Sequence, residues 1–215
     1  GRLNDMEFRH LGSSGLQISE ITYGNWLTHG SQVENDVATA CVHRALDLGI
    51  TFWDTANVYQ LGSSEEYVGR AIRNLTRRED IVLATKLRFP MHDGPGGSGL
   101  SRRAVMEQID ASLTRLGTDH VDLFLIHWPL PTLYDGDYVS TWQTLIDLQR
   151  EGGVKSIGVS NFQPDHLARL AAETDVVPAV NQIEVHPYFG NEAAREATHR
   201  HGSVVEAWSP IAQGA

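Results

Sequence analysis

Short apolar segments alternate with amphipathic segments along almost the whole chain, and this alternation is what most limits its fold. The apolar segments are apolar on both faces, as in IVLAT and VDLFLI, which is typical of parallel strands covered on both sides. The seven predicted strands are Glu20–Gly24, Ile50–Asp54, Ile81–Lys86, Val121–His127, Lys155–Ser160, Ala179–Glu184 and Val204–Trp208. Strand–helix alternation of this kind predicts an α/β fold with a parallel sheet.

The segments between these strands carry residues typical of helix termini. Pro164 suits a first helical turn, and Ser63 with Glu66 has the spacing of a capping box. Three further predicted helices, each followed by a glycine, are Asn35–Leu48, Ser101–Leu116 and Tyr138–Glu151. Ahead of all of them, Glu7–Leu11 and Leu16–Ser19 flank a glycine-containing turn and predict a small hairpin beneath the sheet.

Two α/β architectures compete for this pattern. A doubly wound dinucleotide fold needs a G-x-G-x-x-G turn after its first strand, and TYGNWLTHG does not match it. The glycine-rich stretch Gly94–Gly99 comes too late and is predicted to be a flexible loop. A (β/α)8 TIM barrel fits better, because candidate functional residues follow several different strands. Seven strands in 215 residues, where such barrels usually take about 250, predict one incomplete barrel domain, residues 1–215, truncated after its seventh strand.

Charge and composition exclude several classes of protein. The net charge of −10 disfavours nucleic acid and anionic membranes as partners. No apolar run is long enough to span a bilayer, and the first ten residues lack the apolar core of a signal peptide. Cys41 is the one cysteine, so no intramolecular disulfide is possible, and we expect it to be a buried helical residue. These features together predict a cytoplasmic protein.

Four residues at the carboxyl ends of predicted strands form the main functional pattern. Asp54, Lys86 and His127 end three of the strands, and Tyr59 follows Asp54 by five residues. The carboxyl ends of barrel strands are where active sites are built. A phenol beside an ammonium, a carboxylate and an imidazole is suited to donating a proton to a developing alkoxide. The pattern therefore predicts an enzyme, with Tyr59 as acid, Lys86 as its activator, Asp54 orienting Lys86, and His127 polarising the substrate oxygen.

Six sequence motifs resemble those of the aldo-keto reductases, over about residues 6–215. They are GITFWDTANVY, IVLATK, VDLFLIHWP, IGVSNF, VNQIEVHP and EAWSPIAQG. The resemblance implies a (β/α)8 barrel that transfers a hydride between NADPH and a carbonyl without a metal. Residues 6 to about 119 resemble the branch that contains potassium-channel β-subunits and related bacterial reductases. From about Val121 onward the sequence resembles bacterial 2,5-diketo-D-gluconate reductases.

The resemblance also implies which residues hold the ligands. The implied cofactor-binding residues are Gly24, Asn25, Asp54, Ser160, Asn161, Gln182, Trp208, Ser209, Pro210, Ile211, Gln213 and Gly214. The implied apolar walls of the substrate pocket are Trp26, Trp53, Trp128 and Pro129. His199 and His201 have no cysteine or carboxylate cluster beside them, so we expect no metal site there.

The resemblance implies that the chain reduces small sugar-derived aldehydes or ketones, such as diketo acids. The implied cofactor is NADPH, with NADH as the alternative. In the family, basic residues after an eighth strand bind the 2′-phosphate of NADPH. Only seven strands are predicted in this sequence, so we expect the chain to discriminate poorly between NADPH and NADH. Open sheet edges predict self-association. Two alternatives stay open: a nicotinamide-nucleotide-binding sensor or interaction protein, suggested by the channel-subunit resemblance, and a reductase fragment of low activity.

Overall fold

The computed structural model describes residues 6–26 and 35–214. Within them, seven parallel strands form a curled half-barrel, and two more form an antiparallel hairpin. The strands are β1 Phe8–His10, β2 Gln17–Ser19, β3 Thr22–Gly24, β4 Phe52–Asp54, β5 Val82–Leu87, β6 Val121–Ile126, β7 Val154–Ser160, β8 Val180–Glu184 and β9 Val204–Trp208. The parallel strands follow one another in chain order from β3 to β9. The predicted barrel-type α/β fold with an N-terminal hairpin is confirmed.

Helices follow most of the parallel strands and cover the outside of the sheet. They are α1 Asn35–Asp47, α2 Ser63–Leu75, α3 Arg102–Leu116, α4 Val139–Arg150, α5 Pro164–Glu173 and α6 Glu192–Arg200. Pro164 is the first residue of α5, as predicted. Gly117 ends α3 with a φ of 65°, a backbone conformation that glycine adopts without steric strain. Its N–H donates to the carbonyl of Leu113, so the helix ends where the glycine predicted.

Two apolar clusters divide the core between the two faces of the sheet. The larger cluster lies between the strands and the helices. The smaller one fills the space that the sheet encloses, which we call the lumen, and includes Phe52, Leu123 and Val180. Leu11 and Ile18 of the hairpin segment belong to the lumen cluster. The hairpin therefore closes the amino-terminal end of the half-barrel and leaves the carboxyl-terminal end for polar residues.

A buried ion pair fastens the helices beside β5. Glu65 on α2 is fully buried, and it accepts a hydrogen bond from the Thr85 hydroxyl at 2.6 Å. Arg115 on α3 donates to the same carboxylate at 2.6 Å. Two helices and one strand are thus joined through one side chain. Because Thr85 precedes Lys86, these contacts fix the strand segment that carries the predicted catalytic lysine.

Two expectations about α1 and α2 are wrong. Cys41 is exposed rather than buried, because its side chain lies on the solvent face of α1. Ser63 is the first residue of α2 and not its N-cap, so the predicted capping box does not form. Gly62 is the N-cap and has a φ of 97°. It is also the last residue of a short 3-10 turn over Tyr59–Gly62. The turn shifts the helix start by one position relative to the serine pattern.

Strands β3 and β9 are the edges of the seven-stranded sheet over the described residues. Unpaired edges of a sheet promote pairing with other chains, so self-association stays a prediction. None of the described helices has the length and apolar character needed to cross a membrane.

Candidate active site

Side-chain alternation along the strands brings three predicted catalytic residues onto the lumen face. In a strand, residues two positions apart point to the same side of the sheet. Each of these residues lies two positions after a residue of the lumen cluster, and the pairs are Phe52 and Asp54, Ala84 and Lys86, and Leu125 and His127. All three therefore meet inside the carboxyl-terminal end of the half-barrel.

Lys86 is the centre of a buried hydrogen-bonded group. Its Nζ lies 2.5 Å from Asp54 Oδ2, 2.9 Å from the Thr55 carbonyl oxygen and 3.3 Å from Tyr59 Oη. Burial lowers the pKa of Lys86, but the Asp54 carboxylate and the Tyr59 oxygen together outweigh it and hold that pKa above its usual value. The ammonium therefore stays charged at neutral pH, 3.3 Å from the phenol oxygen.

Tyr59 lies at the start of the short 3-10 turn after β4, and its ring is enclosed by other aromatic side chains. The ring centroids of Trp26 and His127 lie 6.4 and 5.8 Å away. Burial raises the pKa of the Tyr59 phenol, and the Lys86 ammonium opposes that rise. The phenol is therefore protonated at neutral pH, and the ammonium next to it stabilises the phenolate that forms when the proton leaves.

His127 is buried and uncharged. Burial, together with the charges of Lys86 and Arg88, lowers the pKa of its imidazole to about 2. Its ring packs edge-on against Tyr59 and against Phe89, with the Phe89 centroid at 5.1 Å. Since a neutral imidazole carries one N–H donor, His127 is suited to donating a hydrogen bond to a substrate oxygen and not to delivering a second proton.

Polar side chains at the ends of β7, β8 and β9 bond to one another. Asn161 has a φ of 61°, and its amide nitrogen donates to the His127 carbonyl oxygen at 3.0 Å. The Trp208 indole N–H donates to Asn161 Oδ1 at 3.0 Å, and the Ser160 hydroxyl donates to the Gln182 carbonyl oxygen at 2.8 Å. Asn161 thus joins the end of β6 to the end of β9 and fixes the orientation of the Trp208 ring.

This geometry coincides with a sequence match over most of the chain. The model of the aldo/keto reductase family matches residues 20–215. The chain belongs to that family. Methylglyoxal reductase DkgA of Escherichia coli K12 is 40% identical over 201 residues, which are 93% of this chain and 66% of that protein. The 2,5-diketo-D-gluconic acid reductase B of a Corynebacterium species is 40% identical over 202 residues, 94% of this chain and 66% of its own length.

A solved structure supports the same assignment. The Bombyx mori aldo-keto reductase in complex with NADP is 32% identical with a TM-score of 0.79, and the match covers 95% of this chain and 66% of that one. The chain thus spans about two thirds of the length of these three family members. The family resemblance predicted from the six motifs is confirmed.

The cofactor residues expected for an aldo/keto reductase lie at the carboxyl-terminal edge. Asn25 is buried and its side-chain amide donates to the Asp54 carbonyl oxygen at 3.0 Å. The segment after β9 turns sharply at Ser209, which has a φ of 49°, and the Ala212 N–H donates to the Ser209 carbonyl. The remaining expected residues of this edge are Gly24, Pro210, Ile211 and Gly214, and the side chain of Gln213 lies outside the described residues.

The three tryptophans expected to line the substrate pocket have different surroundings. Trp26 and Trp128 are 48% and 43% exposed near the mouth of the half-barrel. Trp53 does not lie there: it is fully buried in the cluster between sheet and helices, and its indole N–H donates to the Ile50 carbonyl at 3.1 Å. The physical reason is strand alternation, because its neighbours Phe52 and Asp54 occupy the lumen face. The placement of Trp53 in the substrate pocket is therefore corrected.

The sequence analysis missed Glu206, which lies in the lumen. Glu206 pairs in register with Gln182, and Gln182 lies two positions after the lumen residue Val180. Burial, followed by the nearby Asp54 carboxylate, raises the pKa of Glu206 to about 7. Its Oε2 is buried and makes no hydrogen bond among the described residues. The alternation of side chains along β9 could have predicted the position of Glu206, since its neighbours Val205 and Ala207 face outward.

The side chains at this edge have the chemistry needed to hold a nicotinamide cofactor. Amides and a hydroxyl at the ends of β7 and β8 match the hydrogen-bonding groups of a carboxamide, and the fixed Trp208 ring offers an aromatic face. The buried oxygen Asp54 Oδ1 makes no hydrogen bond among the described residues, so it is suited to accept one from a ligand hydroxyl. Over the same residues, no three His, Cys, Asp or Glu side chains group as metal ligands.

Proposed function

We propose that this chain forms the active site of an NADPH-dependent reductase that converts small aldehydes and ketones to alcohols. The observation that carries the proposal is the contact of Lys86 Nζ with both Asp54 and Tyr59 inside the lumen. A phenol is a weak acid at neutral pH, with a usual pKa of about 10. It becomes an effective proton donor only where its phenolate is stabilised, and this arrangement supplies the stabilising charge.

Each member of the group has one role in this proposal. Tyr59 donates its proton to the carbonyl oxygen as negative charge develops there. Lys86 stabilises the resulting phenolate, and Asp54 keeps Lys86 charged and aimed at the phenol. His127 donates a hydrogen bond to the same substrate oxygen and so fixes the carbonyl beside the phenol.

NADPH, when bound, supplies the hydride that the carbonyl carbon receives. Ser160, Asn161 and Gln182 would hold its carboxamide end, and Trp208 would pack against its ring. Backbone groups from Ser209 to Gly214 would bind the diphosphate, with Gly24 and Asn25 beside them. Because these contacts involve parts that NADPH and NADH share, NADH is also expected to bind, and the two should be titrated under one salt condition.

The names of two relatives guide the choice of substrates. One relative is called a methylglyoxal reductase and the other a 2,5-diketo-D-gluconic acid reductase. Both names describe small molecules that carry two carbonyl groups. We therefore propose small dicarbonyls and sugar-derived keto acids as the substrate class of this chain, with Trp26 and Trp128 as apolar walls.

Loss of NADPH absorbance tests the function with a panel of aldehydes, diketones and keto acids. The expected result is turnover that Tyr59→Phe reduces by roughly 10²- to 10⁴-fold, with cofactor binding retained as measured by tryptophan fluorescence quenching. Full activity in Tyr59→Phe would exclude Tyr59 as the acid. Tight cofactor binding without turnover on any carbonyl would instead support the nucleotide-sensor alternative.

A further inference from the structure

A small cavity lies beside the catalytic group, and of its lining residues only Trp128 has a role in the function proposed above. It has a volume of about 350 Å³ and lies between the segments that follow β5 and β6. Its lining residues are Arg88, Phe89, Trp128, Leu130, Pro131 and Thr132. Arg88 lies two residues after Lys86, and the Phe89 ring contacts the His127 ring at 5.1 Å. The cavity is therefore adjacent to the position where the carbonyl group must lie.

Arg88 is the one charged residue among the residues that line this cavity. The others are aromatic or apolar, apart from the hydroxyl of Thr132. The charge of Arg88 reaches the catalytic group, since it contributes to lowering the pKa of His127. A positive charge in surroundings of low polarity acts more strongly on an anion than the same charge does in water.

The Arg88 guanidinium is held in a defined orientation. Its central carbon lies 4.4 Å from the centroid of the Phe89 ring, so the planar group lies over an aromatic face. Stacking of this kind fixes the plane of the guanidinium against one wall of the cavity. A guanidinium has five N–H donors and binds carboxylates in a two-pronged geometry, so it can take up an anion while it keeps its other contacts.

We propose that Arg88 binds a carboxylate of the substrate in this cavity while the carbonyl of the same molecule lies at Tyr59 and His127. The chain would then prefer aldehydes and ketones that carry an acid group a few bonds from the carbonyl. This inference rests on the reductase function proposed above and adds the residue that selects the substrate class. The volume agrees with it, because ligand cavities begin at about 300 Å³ and a four-carbon acid is smaller than that.

A matched pair of aldehydes tests the inference through turnover. Succinic semialdehyde carries a free carboxylate, and its methyl ester has the same carbon chain without the charge. In the unaltered chain, kcat/KM for the acid should exceed that for the ester roughly 10- to 100-fold, mainly through KM. Arg88→Gln should abolish this preference, so that kcat/KM for the acid becomes equal to that for the ester in the same variant. Arg88→Lys should restore part of the preference, because the point charge returns without the two-pronged geometry.

The control is Arg70→Gln, which removes an exposed arginine on α2 away from the cavity. It should leave the preference for the acid unchanged, so that a general effect of net charge is excluded. Circular dichroism of each variant shows whether the fold is retained. Equal kcat/KM values for acid and ester in the unaltered chain would overturn the inference, as would a preference that persists in a folded Arg88→Gln variant.

Binding without turnover separates this inference from the reductase proposal. Calorimetric titration with succinate, in the absence of nucleotide, should show binding to the unaltered chain and at least tenfold weaker binding to Arg88→Gln. If no aldehyde is reduced but succinate binds through Arg88, the anion site stands and the proposed reductase function fails. If the ester is reduced and succinate binding does not depend on Arg88, the reductase function stands and the anion site is rejected.

Discussion

Lys86 and Asp54 form an ion pair in the lumen, with 2.5 Å between Nζ and Oδ2. The lysine side chain has no solvent exposure and the aspartate side chain is 10% exposed. The two residues lie on adjacent strands, β4 and β5, whose register pairs Asp54 with Ala84. Charged groups in such surroundings are stabilised mainly by each other, so changes to either residue should affect both stability and chemistry.

Asp54→Asn should destabilise the fold by about 3 kcal/mol, because it leaves the Lys86 ammonium buried without its carboxylate. Replacing both residues, as in Asp54→Asn with Lys86→Met, should recover part of that loss by removing the unpaired charge. Urea unfolding followed by circular dichroism measures both values. A double variant that is less stable than Asp54→Asn alone would contradict this account of the pair.

Lys86→Met should reduce kcat much more than it changes KM. The ammonium is proposed to act on the phenolate, which exists only as the proton is transferred, so its removal raises the barrier without weakening substrate binding. Steady-state kinetics with one aldehyde, at saturating NADPH, gives both constants. An effect confined to KM would indicate that Lys86 binds the substrate and does not assist Tyr59.

Glu206→Gln should change how stability depends on pH. The folded-state pKa of Glu206, about 7, lies above its ordinary value of about 4.5, so the folded chain holds a proton that the unfolded chain releases. The stability that Glu206 contributes is therefore full below pH 4.5 and is lost as pH rises through 7. Between pH 5 and 8, the melting temperature of Glu206→Gln should therefore decrease less with rising pH than that of the unaltered chain.

The matched control for that experiment is Glu196→Gln, which removes an exposed carboxylate from α6, the helix that precedes β9. It should reproduce the pH dependence of the unaltered chain. The low pKa of His127 has the opposite effect, with stability lost as pH falls, but His127 is present in all three chains. If the melting temperature of Glu206→Gln changed with pH as much as that of the unaltered chain, the Glu206 carboxyl would have to be ionised in the folded chain.

Gly69→Ala should destabilise the packing of α2 on α3 by roughly 1 to 3 kcal/mol. A Cβ at this position would lie 2.1 Å from the carbonyl oxygen of Leu116, closer than any van der Waals contact allows. Gly15→Ala is the control, since a Cβ there meets no atom within 4 Å. The midpoint of urea unfolding measures the stability of each variant. Equal midpoints for Gly69→Ala and Gly15→Ala would show that α2 and α3 can move apart without loss of stability.

Much of the fold and part of the site follow from local sequence patterns. The ends of the described helices lie within one residue of those predicted for Ser101–Leu116 and Tyr138–Glu151, because glycine and the apolar period act locally. The positions of Asp54, Lys86 and His127 at strand ends follow from the same pattern. The alternation of side chains along a strand also places Trp53 on the helix side of the sheet, because Phe52 and Asp54 on either side of it face the lumen.

The amino-acid sequence by itself determined the order of strands and helices, the family, and the residues gathered at the carboxyl-terminal edge. Only the tertiary structure decided the distances between them. It brings Glu206 near Asp54, places Arg88 over Phe89 beside a cavity, and turns Cys41 to solvent. The reason is that local patterns fix which side of an element a residue occupies. The curvature of the sheet and the packing of the loops decide which residues on that side come into contact.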